Sequence, residues 1–221
     1  MDTVKTLDAL ISSALQCGSR IDIRLTPKNW AADDDATINA SIPVTEGEGR
    51  QTFTIGGRQI EYRLIPNGPV ITCVPTVLWP DEVPFDKDGS NKWKGSSLRY
   101  WLNHEFWLEN MPDELKRKIV PTKHDGVEDL VWLPSEAEVF GTAIFGDREL
   151  AKGEVQLFPD KASRRLKDAN GEKRWWWTRS ARSGRTSYVP YVGTDGAAYG
   201  YDADDTYGAA LPCFNLALEG E

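Results

Sequence analysis

The feature that most constrains the fold is a run of three tryptophans, Trp175, Trp176 and Trp177. Side chains alternate between the two faces of a strand, so Trp176 must point away from both of its neighbours. At least one of those faces must be core, because indole rings bury a large apolar area. We therefore expect a strand that supports a binding surface from beneath, with Arg179 held in a buried hydrogen-bond network.

The run opens a glycine-punctuated stretch, residues 174–218, that is rich in Tyr, Arg, Ser, Thr and Asp. Recognition surfaces use this mixture, because Tyr and Arg supply stiff contact area and small polar residues supply adaptable hydrogen bonds. Ordinary hairpin connections have a similar composition. The composition of this stretch leaves both interpretations open.

Bulk composition fits one large folded domain. The chain has 221 residues, of which 40% are hydrophobic and 27% charged, so a sizeable core can form. Its net charge of -8 argues against nucleic-acid binding, which needs a basic face. The nine tryptophans favour a role in recognition.

The cysteines and the N-terminal residues indicate the cellular compartment in which the protein is made. Cys17, Cys73 and Cys213 are widely separated and form no C-x-x-C motif, so buried free thiols are expected rather than disulfides or a zinc finger. The N-terminal residues are amphipathic and lack the continuous apolar region of a signal peptide. No segment has the apolar length of a membrane span. We expect a protein made in a cytosol.

Hydrophobic periodicity indicates that the chain consists of an N-terminal helix and a main domain. Residues 3–16 place Val4, Leu7, Ile11 and Ala14 at helical spacing. This predicts an amphipathic helix over residues 1–18, which either packs on its own domain or serves in anchoring or association. Residues 19–221 are expected to form the main domain, with a strand over 20–25 and a surface excursion over 31–49.

Local signals predict an α+β fold in which helices pack against a mainly antiparallel sheet. Alternating residues 52–55 and 59–65 flank Gly56-Gly57 as a hairpin. Ser135 and Glu138 form a capping box, and Pro112 suits a first helical turn. The other predicted elements are helices over 97–108, 112–118 and near 161–166, a loop over 79–91, and strands over 70–74, 118–122, 130–133, 175–179, 188–192, 198–201 and 210–218. In helix 97–108 one face is expected to carry Leu98, Trp101, Leu102, Glu105 and Phe106.

Five short motifs follow one another in a fixed order: W-L-N (101–103), L-P-S-E-A-E-V-F-G (133–141), W-W-T-R-S (176–180), Y-V-G-T-D-G (191–196) and A-L-P-C-F-N-L (210–216). In this order they resemble an uncharacterised C-type-lectin-like domain family of bacteriophage structural proteins and Firmicutes surface proteins. That family typically ends W-W-L-R-S-P, then D-G, then V-R-P-A-L-N-L. The resemblance covers roughly residues 95–218. The sequence departs from the family pattern at two positions. Leu211-Pro212 stands where the family has R-P, and Ser180-Ala181 stands where it has S-P.

The resemblance implies a C-type-lectin-like fold and a ligand-display role rather than catalysis. We expect a virion protein, made in the host cytoplasm, that serves in host attachment by binding a glycan or protein receptor. A purely architectural virion subunit, such as a capsid decoration or tail-assembly protein, is the alternative. Expected partners are the host receptor and other virion subunits, without nucleic acid or a membrane span; a homo-trimer follows by analogy with fibre proteins.

The expected ligand surface lies within residues 180–208. It comprises Arg182, Arg185, Tyr188, Tyr191, Tyr199, Tyr201, Asp204 and Tyr207. The residues expected to be structural are Trp101, Trp176, Trp177, Arg179, Asp195, Gly196, Pro212 and Asn215.

The sequence contains little that supports an enzymatic function. Iron-dependent enzymes of the same architecture need three histidines, and this chain has only His104 and His124. No hydrolase, metalloprotease or phosphate-loop motif is present. We expect no catalytic residue, no metal and no cofactor.

Calcium is the one ion that the sequence leaves open. Asp202, Asp204 and Asp205 are close in sequence and could supply the oxygen ligands that calcium prefers. Turn formation and solubility explain these aspartates more simply.

Overall fold

The computed structural model describes residues 49–150 and 154–217, and the backbone of two short strands before them. The helix expected over residues 1–18, most of the excursion over 31–49, and Cys17 lie outside the described residues. The strands are β1 Ile21–Ile23, β2 Ile42–Val44, β3 Gly49–Ile55, β4 Arg58–Asn67, β5 Val70–Pro75, β6 Trp79–Glu82, β7 Ile119–Val120, β8 Thr122–His124, β9 Val127–Asp129, β10 Trp176–Trp177, β11 Tyr188–Val192, β12 Ala198–Asp202, β13 Ala209–Ala210 and β14 Phe214–Ala217.

Helices occupy the middle of the described chain. A 3-10 turn at Trp93–Gly95 precedes helix α1, which has an α-helical segment Ser97–Trp101, a π-helical segment Leu102–Phe106 and a second α-helical segment Trp107–Asn110. Helices α2 (Asp113–Lys116) and α3 (Glu136–Phe140) are one turn each. The fold is therefore α+β, as expected.

Two five-stranded sheets form the framework. Sheet A has the order β12-β11-β10-β13-β6 and is antiparallel except for the parallel pair β10–β13. Sheet B has the order β3-β4-β5-β14-β7 and is antiparallel throughout. Because β14 lies between β5 and β7, the C-terminal strand joins the early hairpin to the middle of the chain.

The hairpin prediction is confirmed, and its turn explains the two glycines. Gly56 and Gly57 have φ angles of 55° and 74°. A two-residue turn with two positive φ angles matches the twist of the flanking strands. A Cβ on Gly56 would also lie 2.5 Å from the side-chain oxygen of Asn110.

Helix α1 is confirmed, with a correction to its buried face. Ser96 caps it by accepting a hydrogen bond from the Arg99 amide, and Leu98, Leu102 and Phe106 are buried. Glu105, which was expected on this face, is exposed. The π-helical segment has more residues per turn than an α-helix, and this rotates Glu105 away from the core.

The capping box that opens α3 is confirmed. The Ser135 hydroxyl accepts from the Glu138 amide at 3.1 Å, and the Glu138 carboxylate accepts from the Ser135 amide at 2.7 Å. Gly141 ends the helix with a φ of 82°.

The predicted loop over 79–91 is wrong at its start, because residues 79–82 form β6. This strand pairs with β13, which is more than a hundred residues away in the sequence, so no local pattern predicts it. Pro80 is tolerated because β6 is an edge strand of sheet A.

Four other element predictions need correction. The helix expected near 161–166 is absent; Ser163 and Asp160 bond to each other's backbone instead, which competes with helix formation. Residues 130–133 contribute only a bridge from Trp132 to Cys213. The strand expected over 175–179 shrinks to β10. The strand expected over 210–218 is broken at residues 211–213, where the chain crosses from sheet A to sheet B.

The core is rich in aromatic side chains. The Tyr62 and Phe214 rings pack 5.1 Å apart within sheet B, and Trp79 meets Phe106 of α1 at 4.9 Å. Cys73 and Cys213 are buried free thiols, as expected, and burial raises the pKa of both. In the part of the chain that the structure describes, no helix has the length and apolarity to cross a membrane.

Candidate ligand-binding surface

The three tryptophans divide as strand geometry requires. Trp176 and Trp177 are fully buried and Trp175 is partly exposed. Trp175 and Trp177 share a face, with ring centres 4.7 Å apart, whereas Trp176 packs on Phe158 at 5.5 Å. Trp177 therefore forms core beneath the face on which Trp175 reaches solvent.

Three of the predicted ligand residues join Trp175 on that face. Tyr191 and Tyr199 are directly opposite in the β11–β12 ladder, and Tyr201 lies opposite Val189. Trp175 is 4.5 Å from Tyr191 and 6.2 Å from Tyr201, measured between ring centres. Tyr191 and Tyr199 are nearly parallel, 5.6 Å apart at 26°. We call the group of Trp175, Tyr191, Tyr199 and Tyr201 the aromatic platform.

The platform is open to solvent at the edge of sheet A. Tyr199 and Tyr201 are 44% and 47% exposed, and both belong to β12, an edge strand. Packing among the rings partly buries Tyr191 and raises the pKa of its phenol, chiefly by desolvation. Large exposed aromatic side chains held side by side are typical of binding surfaces.

A shallow concavity of about 370 Å³ borders the platform. Its lining combines aromatic rings with polar groups: Trp175, Tyr191, Gly193, Thr194, Asp195 and Tyr199. A few polar groups among aromatic walls can orient a ligand through hydrogen bonds while the rings supply contact area.

Asp195 has a double role in this concavity. One carboxylate oxygen accepts from the Ala197 amide at 3.0 Å, and the other lies 3.1 Å from the Lys161 ammonium and 3.4 Å from the Tyr199 hydroxyl. The backbone hydrogen bond and the lysine lower the pKa of this carboxyl group. The side chain was expected to be structural, and it also lies exposed at the ligand-facing side.

The turn that presents Asp195 requires glycine at the next position. Gly196 has a φ of 79°, and a Cβ there would lie 2.3 Å from the Lys161 carbonyl oxygen. Arg164 donates a hydrogen bond to the Gly196 carbonyl at 3.0 Å. The segment around Lys161, for which the sequence suggested a helix, instead supports this turn.

The remaining predicted ligand residues lie elsewhere. Arg182, Arg185 and Tyr188 form a second group on the opposite face of the β11–β12 ladder. Neighbouring residues of a strand point to opposite faces, so Tyr188 points away from the face of Val189, and Gly200 faces away from Tyr199. Asp204 and Tyr207 belong to the loop after β12, and Tyr207 is 64% exposed. The structure therefore divides the predicted surface into two faces and a loop.

Arg179 lies in a buried ion-pair network. Its guanidinium bonds to the Glu138 carboxylate, to Glu154 at 3.0 Å and to the Leu133 carbonyl at 2.9 Å. Arg148 bonds the same Glu154 at 2.6 Å. The network joins α3, the segment after it and the residues that follow β10.

His124 borders this network, although its sequence position predicts no particular role. It ends β8, before an Asp125-Gly126 turn, and only 3% of it is exposed. In the part of the chain that the structure describes, neither ring nitrogen has a hydrogen-bond partner. Burial, followed by the positive charges of Arg179 and Arg148, lowers its pKa from 6.5 to about 2.

His124, Glu138 and Glu154 offer ligand atoms within 4.8 Å of one another, as a metal site would. Both carboxylates already bond guanidinium groups, however, and these positive charges oppose a further cation. We interpret the cluster as a structural ion-pair network.

The aspartates considered for calcium do not converge among the described residues. Asp202 accepts from the Ser187 hydroxyl at 3.3 Å, and Asp205 accepts from the Tyr207 amide at 2.9 Å. Turn formation therefore accounts for Asp205, and a hydrogen bond from β12 to the residue just before its paired strand β11 accounts for Asp202.

The other residues expected to be structural occupy the interior or its margin. Trp101 is half-buried, with its ring 5.2 Å from Phe106. Pro212 is buried at the crossing between the sheets, and the Asn215 amide donates to the Thr122 hydroxyl at 2.7 Å.

One comparison with known proteins identifies a family. Residues 76–218 match the family described as "Domain of unknown function (DUF6273)". The match covers more than half of the chain, so the chain belongs to this family. No curated protein and no solved structure matches it significantly.

Proposed function

We propose that this member of the DUF6273 family is a non-enzymatic, C-type-lectin-like module that binds a glycan on the aromatic platform. Following the sequence resemblance, we propose that it belongs to a bacteriophage particle and serves in host attachment. The observation that carries the binding role is the set of side-by-side rings at the exposed edge of sheet A, next to a polar concavity.

The chemistry of the platform suits a sugar. The faces of Tyr and Trp rings stack on the apolar C–H faces of pyranose rings, and such contacts need little rearrangement when the rings are already packed together. Asp195 and Thr194 lie where hydroxyl groups of a stacked sugar could donate and accept hydrogen bonds. The volume of about 370 Å³ suits one or two sugar rings rather than a deep substrate cleft.

The test is a glycan array probed with the wild-type protein and with a Tyr199→Ala/Tyr201→Ala variant. Loss of two stacking rings is expected to weaken binding by at least about tenfold. The melting temperature should hardly change, because both side chains are substantially exposed. Tyr100→Ala is the matched control, since it removes a tyrosine that is 57% exposed on α1. A folded double variant that binds like the wild type would refute the platform.

A second candidate function, a purely architectural virion subunit, is favoured by a different observation. Helix α1 exposes Tyr100, stacked on His104 at 4.1 Å, and Leu108, which is 70% exposed. Exposed apolar side chains along one helix are typical of subunit contacts. If this function is right, Leu108→Glu should abolish an oligomer detected by light scattering, and the platform variant should leave that oligomer intact.

A further inference from the structure

Two arginines on the face opposite the platform have no charge partner within the described residues. Arg182 and Arg185 belong to the segment between β10 and β11, and among the described residues neither has a carboxylate within 4.0 Å or a side-chain hydrogen bond. Their neighbours Arg174 and Arg179 are both paired, with Glu82 and Glu138. In a chain with a net charge of -8, two adjacent unpaired guanidinium groups need an explanation.

Aromatic rings hold both guanidinium groups in place. Arg182 lies 4.6 Å from the Phe145 ring centre and 5.7 Å from that of Tyr188, and Arg185 lies 4.7 Å from Tyr188. A guanidinium over a ring satisfies its flat face, whereas its N–H donors lie in its own plane. Stacking therefore orients both groups while leaving their donors available.

The backbone beneath the arginines is fixed as well. The buried Asn91 amide nitrogen lies within hydrogen-bond distance of the carbonyl oxygens of Arg182, Arg185 and Tyr188, at 3.2, 2.6 and 3.0 Å. The Ser183 amide donates to the Phe145 carbonyl at 2.9 Å, which ties the two segments together. Little conformational entropy remains to be lost when a ligand binds.

Phe145 is itself held by a buried carboxylate. Glu136 accepts hydrogen bonds from the amides of Phe145 and Gly146, at 3.0 and 2.8 Å. The ring that supports Arg182 is thus anchored to the first turn of α3.

Gly200 lets Arg182 lie across the edge strand. A Cβ at this position would be 2.6 Å from a terminal guanidinium nitrogen of Arg182. Gly200 has no positive φ angle, so its conformation does not demand glycine, and the close approach of Arg182 explains the residue. Asp202 lies farther along the same face, more than 4.0 Å from both guanidinium groups, and accepts from Ser187.

We infer that Arg182 and Arg185 form a binding site for an oxyanion, a carboxylate or phosphate group carried by a glycan. Guanidinium groups bind both kinds of oxyanion through paired N–H donors, and charge-assisted hydrogen bonds are the stronger ones. That the oxyanion belongs to a glycan rests on the proposed function; the site itself rests on the unpaired, oriented arginines. The selectivity of the protein is then for acidic over neutral glycans.

Calorimetric titration of the full chain tests the inference. The probes are galacturonic acid oligomers, poly(glycerol phosphate) and neutral galactose oligomers. Arg182→Gln is expected to raise the Kd for the acidic probe about tenfold or more and to leave any binding of the neutral probe unchanged. The carboxylate and phosphate probes distinguish the two sources of the oxyanion.

Two further variants separate this site from general charge effects. Gly200→Ala keeps every charge but displaces the Arg182 guanidinium, so it should also weaken binding of the acidic probe. Arg117→Gln removes one exposed arginine at the end of α2 and should leave the Kd within about twofold, because a single distant charge is screened by salt.

Each outcome decides between the proposals. Failure of both acidic probes to bind at about 1 mM would overturn the oxyanion site, as would equal affinity of wild type and Arg182→Gln. Tighter binding of a single-stranded DNA oligomer than of either acidic glycan would overturn the assignment of the oxyanion to a glycan. If neutral oligomers bind and the Tyr199→Ala/Tyr201→Ala variant loses them while Arg182→Gln does not matter, the platform stands and the oxyanion site falls. If only Arg182 matters, the oxyanion site stands and the platform falls.

Discussion

Replacing Arg179 with methionine is expected to destabilise the protein strongly. The Arg179 side chain is fully buried, and its partners Glu138 and Glu154 expose only 4% and 11% of their side chains. Methionine fills a similar space but leaves both carboxylates without their shared guanidinium. Breaking a buried ion pair in this way destabilises by about 3–5 kcal/mol. For a chain of this size that corresponds to a fall in Tm of roughly 6–20 °C.

The assay is thermal unfolding followed by circular dichroism, with Arg50→Gln as the control. Arg50 pairs with Glu61 at 2.5 Å, but these side chains are 57% and 44% exposed. Loss of such a pair changes stability by less than about 1 kcal/mol. A Tm for Arg179→Met that falls no further than that of Arg50→Gln would refute the reasoning.

A double variant tests the mechanism of the loss. Glu138→Gln removes the buried charge and keeps the capping box, because glutamine also suits that position. The combination Arg179→Met/Glu138→Gln should therefore be less destabilising than the sum of the single changes, by about 1 kcal/mol or more. Simple additivity would show that the two side chains do not act as a pair.

Two other predictions concern buried groups. The pKa of His124 is lowered to about 2 in the folded protein, so only the unfolded chain gains this proton as the pH falls below 6.5. The free energy of unfolding should therefore decrease toward acid, by about 3 kcal/mol more between pH 7 and pH 4.5 than in the variant His124→Phe. Urea unfolding at each pH measures this, and an equal pH dependence of the two proteins would contradict it. Gly208→Ala should destabilise by about 1–3 kcal/mol through overpacking, because its Cβ would lie 2.1 Å from the buried Trp177 indole nitrogen. Gly95→Ala is the control, because no atom of the described residues beyond its chain neighbours lies within 4 Å of its added Cβ, and equal Tm values for the two variants would contradict the close contact at Gly208.

Elements with strong local signals could be predicted from the sequence. The Gly56-Gly57 hairpin and the capping box of Ser135 and Glu138 depend on residues within a few positions of one another. Strand β6 and the break at residues 211–213 could not be predicted in this way, because each depends on pairing with distant parts of the chain. Burial in a sheet overrides the preference of a proline-containing segment for a loop.

The candidate surface was predictable only in part. Strand alternation alone already separates Tyr188 from Tyr191 and unites Tyr199 with Tyr201, so the division into two faces could have been found. The contribution of Trp175 follows from the same rule, given that Trp177 is core. The neighbours of Arg182 could not be inferred, because Phe145 and Asn91 approach it from distant segments.

The most direct test of the platform uses the indole N–H resonances of the nine tryptophans in a ¹⁵N-labelled sample. The Trp175 resonance is identified by its loss in Trp175→Phe, and a glycan that binds on the array is then titrated into the wild-type protein. The account predicts that the Trp175 resonance shifts with the titration, whereas those of Trp176 and Trp177, both fully buried, hardly move. A bound glycan that leaves Trp175 unshifted and perturbs tryptophans elsewhere would contradict it.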